Sequence, residues 1–111
     1  LQAIPEGLFR RNRDVRNFNS TFAGCYGIKE IPTGLFDNNR KVVYFDGTFS
    51  GLHEAKGESP YTVIDGIRYH LYERHLNPDH FVAPVEYNGC FGDCWQLSDY
   101  AEIERNKWIW N

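Results

Sequence analysis

Apolar residues fall along this chain in short clusters, not in a sustained helical stripe. Within one stretch they occupy Ile28, Ile31, Leu35-Phe36, Val42, Phe45, Phe49 and Leu52, with Pro, Gly or Asn between clusters. Those separators end regular structure by fixing or freeing φ. The same pattern stands once before in the chain. Ile4-Pro5-Glu6-Gly7-Leu8-Phe9 recurs as Ile31-Pro32-Thr33-Gly34-Leu35-Phe36, a shift of 27 residues. That shift also carries Asn12-Arg13 onto Asn39-Arg40, Val15 onto Val42, Phe18 onto Phe45, Thr21-Phe22 onto Thr48-Phe49 and Gly24 onto Gly51. Twelve of residues 1–25 are identical at that offset, against about one or two by chance, and a fixed period of this length is a repeat signature.

A unit this short cannot bury its apolar edge alone, so equivalent residues are expected to stack. Phe22 over Phe49 and Phe18 over Phe45 would form aromatic ladders. The expected fold class is an α/β, β-rich repeat: a short leucine-rich-repeat solenoid carrying an inserted β-hairpin. As one domain of residues 1–111 it divides into a first repeat at 1–27, a second at 28–52, an insert at 53–87 and a degenerate closing repeat or cap at 88–111. Leu1 stands at the place of Ile28, in mid-repeat, so the chain reads as part of a longer repeat protein.

The insert holds the clearest local signal. Tyr61 to Tyr72 places Asp65-Gly66 between two β-rich runs, the mark of a type I′ hairpin. Alternation turns Ile67, Tyr69 and Leu71 to one face and Arg68, His70 and Tyr72 to the other. Phe91-Gly92-Asp93-Cys94-Trp95-Gln96-Leu97 then matches Phe22 to Ile28 in its Phe, Cys and aliphatic spacing. Ser98-Asp99 are placed to cap a short helical turn through Arg105. Trp108-Ile109-Trp110 ends the chain as an apolar lid.

Phe-x-x-Cys-x-x-Ile-x-x-Ile-Pro followed by Leu-Phe, Asn, Val, Phe and Thr-Phe resembles the BspA-type leucine-rich repeats of bacterial surface and secreted proteins. The matching residues are Phe22, Gly24, Cys25, Ile28, Ile31, Pro32, Leu35, Phe36, Val42, Phe45 and Phe49. Leu52 stands where that family places Cys. The resemblance implies a right-handed solenoid with short parallel strands, a location that is secreted or at the bacterial cell surface, and attachment to a host or microbial protein or glycan. It carries over no catalytic residue.

Composition narrows the field. Apolar content of 41% and charged content of 24% are ordinary for a globular chain. A net charge of −3 argues against nucleic acid as partner, since a basic face is missing. No apolar run approaches the length of a membrane span, so membrane insertion is not expected.

Candidate chemistry is thin. Cys25, Cys90 and Cys94 are odd in number, which favours buried thiols over a disulfide framework, with Cys90–Cys94 or Cys25–Cys90 pairing as the alternative. His70, His75 and His80 with Cys90, Cys94, Asp79 and Glu73 assemble into a zinc site only on paper, because the spacing is loose and its order unlike a finger. Asp99, His70 and Ser98 as a hydrolase triad lack a nucleophile elbow. No catalytic residue, metal or cofactor is therefore assigned. Interruptions of repeat arrays often mark the binding face, and Tyr, Trp and Arg dominate binding hot spots. The candidate binding residues are thus Tyr61, Arg68, His70, Tyr72 and Trp95, against the plainer reading that they pack the hairpin onto the core.

The function expected is a non-enzymatic adhesion or ligand-binding module. The alternatives are a purely structural cap and a carbohydrate-binding accessory domain, the last requiring exposed coplanar aromatics. Self-association is expected through the N-terminal unit, where Leu1, Ile4, Phe9 and Phe18 would lie bare.

Overall fold

A computed structural model describes residues 2–110. Among them the regular elements are few: antiparallel strands β1 (Tyr61–Ile64) and β2 (Ile67–His70), a 3₁₀ helix Leu71–Leu76, and helix α1 (Tyr100–Arg105). The molecule measures 34 × 29 × 25 Å. No helix among the described residues is long and apolar enough to cross a membrane.

This corrects the expected fold class. The chain forms a small globule whose sheet is two antiparallel strands, not an α/β leucine-rich-repeat solenoid of short parallel strands. Parallel pairing survives only as isolated single bridges, Asn17↔Tyr44, Tyr44↔Glu86, Glu30↔Lys56 and Gly57↔Leu97. The physical reason is local. A strand needs consecutive extended residues, whereas here the chain turns at nearly every step. Thr21, Ala23 and Cys25 donate their N–H to the carbonyls of Phe18, Ser20 and Phe22, three residues back, and Thr48 and Ser50 do the same to Phe45 and Gly47. Ser20, Gly24, Gly47, Gly51 and Asp93 sit at positive φ, between 57° and 90°, which breaks any extended run.

The 27-residue self-similarity is expressed instead as three tiers of such turns, residues 17–24, 44–51 and 86–93, held together by alternate amides. Phe18, Ser20, Phe22 and Gly24 donate to the carbonyls of Tyr44, Asp46, Thr48 and Ser50. Phe45, Gly47, Phe49 and Gly51 donate in turn to Glu86, Asn88, Cys90 and Gly92. A side-chain ladder runs beside them: Asn19 Oδ1 accepts from Asp46 N, and Asp46 Oδ1 from Asn88 N, each at 2.8 Å. Inside, the rings of Phe22, Phe49 and Phe91 stack at 5.6 and 5.2 Å. The second expected ladder does not form. Phe18 packs on Phe9 and Phe36, while Phe45 packs on Phe36 and Trp108.

The N-terminal unit is also less bare than expected. Ile4 and Phe18 are buried, and half-buried Phe9 lies against Phe18, Phe22 and Phe36; Leu1 lies outside the described residues. At the other end Trp108 is buried, stacked on Tyr87 at 4.5 Å and accepting the N–H of Phe91, while Trp110 is exposed.

The hairpin follows from its turn. Asp65 and Gly66 both take positive φ, 52° and 80°, as a type I′ turn requires, and the register pairs Ile64 with Ile67 and Tyr61 with His70. Alternation ends at His70, where the 3₁₀ helix begins, so Leu71 and Tyr72 are both buried. The insert is pinned to the second unit by Arg74. Its guanidinium, 1% exposed, donates to the carbonyls of Asn39 and Phe36 and lies over the Phe81 ring at 4.6 Å. Burial, aided by the Arg40 charge, holds Arg74 below the usual arginine range.

Phe49 is the shared ring of the ladder, fully buried with a stacked neighbour on each side. Phe49→Ala is expected to cost about 3–5 kcal/mol, as core Phe truncations do. Urea denaturation checks this: an unchanged midpoint would show that the tiers do not carry the fold.

Candidate functional site

The five candidate binding residues separate into two places and an interior. Tyr61, Arg68 and His70 share one face of the hairpin, as alternation requires from the pairing of Tyr61 with His70 and of Val63 with Arg68. Arg68 lies over the Tyr61 ring at 4.7 Å and pairs with Glu58 at 3.0 Å. Tyr72 is not on that surface. It is 4% exposed, and its hydroxyl donates to Asp99 at 2.9 Å; burial and the Asp99 charge push the phenol well above its ordinary range. Trp95 lies elsewhere.

His70 is the hub of a polar cluster. Its Nδ1 faces Glu73 Oε1 at 2.6 Å and its Nε2 faces Glu58 Oε2 at 2.7 Å. A neutral imidazole has one N–H, so two hydrogen bonds to carboxylates need a second proton on the ring or on a partner. Asp99 Oδ2 is 3.8 Å from Nε2. Asp99 occupies the N-cap position of α1 without capping it. Its oxygens instead accept from the Ser59 N–H and hydroxyl at 2.9 and 2.5 Å, and from Tyr72.

As chemistry the cluster is closed. The serine that reaches Asp99 is the buried Ser59, whereas Ser98 is exposed, so the Ser98–His70–Asp99 triad is not assembled. Both imidazole nitrogens already face carboxylates, which leaves no lone pair for a metal or a substrate proton. His75 and His80 are exposed away from the core thiols, and among the described residues no group of three His, Cys, Asp or Glu is placed to hold a metal ion. A concavity of about 350 Å³ between the first two units is lined by charges of both signs, Glu6, Arg10 and Asp37 among them, and by none of the five candidates.

The surface feature that residue-type reasoning missed is a row of three rings. Tyr26, His53 and Trp95 each stand two residues past the end of a tier. Tyr26 stacks on His53 at 5.6 Å and 25°, and His53 on Trp95 at 6.0 Å and 19°. Tyr26 and Trp95 are each 57% exposed. Tyr26 lies flat over Gly51, where an added Cβ would come within 2.8 Å of its ring. The position is held on the backbone side too: Tyr26 N–H bonds the Gly24 carbonyl, His53 N–H that of Gly51, and Gln96 Nε2 the carbonyl of His53. The signal was legible, because a 27-residue step from Tyr26 lands on His53. Compared with protein-family models, curated proteins and solved structures, the chain has no match in any of the three.

The cysteines are free thiols. Cys90 and Cys94 are buried, and burial pushes Cys94 up to about 12 and Cys90 well above its ordinary range. Cys94 further donates to the Phe49 carbonyl. Only thiolate reacts with alkylating agents. Native chain treated with iodoacetamide at neutral pH is therefore expected to take up label at half-buried Cys25 alone, and at all three sites once unfolded. Mass spectrometry of the two samples checks it; rapid native labelling of Cys90 or Cys94 would contradict the packing described.

Proposed function

We propose that this chain is a non-enzymatic recognition module, secreted or displayed at a bacterial cell surface, that captures a protein ligand on the exposed Tyr26–His53–Trp95 row. The observation carrying the reading is the exposure of two large aromatic rings, stacked in register through a third, where the core does not use them. Tyr and Trp bury large areas at low entropy cost, which is why they anchor interfaces. The resemblance of Phe22 to Phe49 to bacterial surface repeats supports the location.

A protein ligand fits better than a polysaccharide. Sugar rings stack on open aromatic faces, and here each ring of the row turns a face to its neighbour. Of the four aromatics whose exposure would favour carbohydrate, Tyr72 and Trp108 are buried and Tyr69 is half-buried, and only Trp95 is exposed. The closed His70 cluster supports the non-enzymatic part of the reading.

The test is a binding screen of the purified chain over immobilised extracellular-matrix proteins and a glycan array, beside Tyr26→Ala/Trp95→Ala. The reading expects saturable binding to a protein, weakened in the variant by about 2 kcal/mol or more, roughly thirtyfold. Retention of only glycans, or a protein ligand held equally by the variant, would overturn it.

A further inference from the structure

The net charge of −3 hides a sharp division. Residues 10–16 and their equivalents 37–43 hold Arg10, Arg11, Arg13, Arg16, Arg40 and Lys41 against Asp14 and Asp37, a net of +4. The rest of the chain carries six cations against thirteen carboxylates, a net of −7. Half of the chain's cations thus stand in two short segments.

The fold brings those segments side by side. Asn38 Nδ2 donates to the Arg10 carbonyl, and Asn39 Nδ2 to the carbonyls of Phe9 and Asn12. Val43 N–H bonds the Arg16 carbonyl, and Lys41 pairs with Asp14 at 2.7 Å. These bonds hold both walls of a groove of about 560 Å³, lined by Arg13, Asp14, Asn38, Arg40 and Lys41. The neighbouring concavity of about 350 Å³ shares Asn38 with it and adds Arg10.

Most of these cations are unspent. Asp14 is taken by Lys41, and Asp37 turns a carboxylate oxygen to the Thr62 hydroxyl and its carbonyl to Arg40 Nε. Among the described residues the five arginines of the two segments form no ion pair, whereas Arg68 and Arg105 are paired with Glu58 and Glu102. Like charges gathered in one place repel, and an anion seated among them removes that repulsion.

Chemistry narrows the anion. Five of the six cations are arginine, whose planar fork grips two oxygens of an oxyanion at once. No apolar or aromatic side chain lines the groove. Protein partners anchor on desolvated apolar and aromatic side chains, and single-stranded nucleic acid stacks its bases on aromatic rings. Neither finds a hold here. A duplex is read by a helix or ribbon lying in its groove, and neither segment contains a helix or strand. The ligand that fits carries oxyanions along a polar chain.

We infer that the groove between residues 10–16 and 37–43 binds a polysaccharide bearing sulfate and carboxylate groups, its oxyanions seated among the arginines of the two segments. This surface shares no residue with the Tyr26–His53–Trp95 row, so either can fail without the other.

Heparin is the probe, titrated into the purified chain by calorimetry beside desulfated heparin, polyglutamate and a short DNA duplex. Two variants accompany the chain. Arg10→Gln/Arg13→Gln removes two charges from the groove and its neighbour, and Lys56→Gln/Lys107→Gln removes two at exposed positions outside them. Saturable heparin binding is expected, weakening as salt rises because counterion release drives it. Affinity should fall at least about tenfold in Arg10→Gln/Arg13→Gln and stay unchanged in Lys56→Gln/Lys107→Gln, with desulfated heparin held more weakly than heparin. A chain that does not bind heparin, or two variants that weaken it equally, would overturn the assignment. So would desulfated heparin, polyglutamate or DNA bound as tightly as heparin.

Discussion

The structure depends on how the backbone divides its amides within each turn. In residues 47–51, one N–H points to the neighbouring tier and the next bonds back three residues. The inward bonds keep each tier compact, and the outward bonds lock it to the following one at a spacing that brings equivalent side chains into contact. Buried backbone groups must be paired, so this alternation lets a chain almost without helix or strand build a dry core. Phe22, Phe49 and Phe91 stack because the amides fix their separation, and the rings then exclude water from those amides.

The same constraint places function outside the core. A position that points outward in one tier points outward in the next, and thus Tyr26, His53 and Trp95 meet at the surface although 27 and 42 residues separate them. Trp108 and Trp110 lie against the third tier. The insert is a separate construction laid against the second unit, with a cation pinned between two carbonyls and a ring, and with the cluster of His70, Glu58 and Ser59 joining it to Asp99.

Much of this was legible in the residues, and the failures have identifiable causes. The 27-residue pattern located the equivalent positions, and Asp65-Gly66 fixed the hairpin turn. Neither feature states whether a repeated apolar cluster lies in a strand or in a chain of turns. That was decided by residues such as Ser20 and Asp93 at positive φ, which their side chains permit but do not announce. Strand alternation placed Tyr72 outward, but the hairpin passes into a 3₁₀ helix at Leu71 and carries Tyr72 inside. Arg74 could not have been picked out as a core anchor, because arginine is seldom fully buried. Tyr26 and His53 differ in residue type, so identity at the 27-residue step does not mark the outward position that they share.

Native-state amide exchange tests the central claim most directly. If the tiers carry the fold, the N–H groups of Phe45, Gly47, Phe49 and Gly51 will be among the slowest to exchange. Their opening free energies will approach that of global unfolding and will fall together in Phe49→Ala. Slow exchange confined to β1, β2 and α1, with these four amides exchanging as in an unfolded chain, would contradict the account.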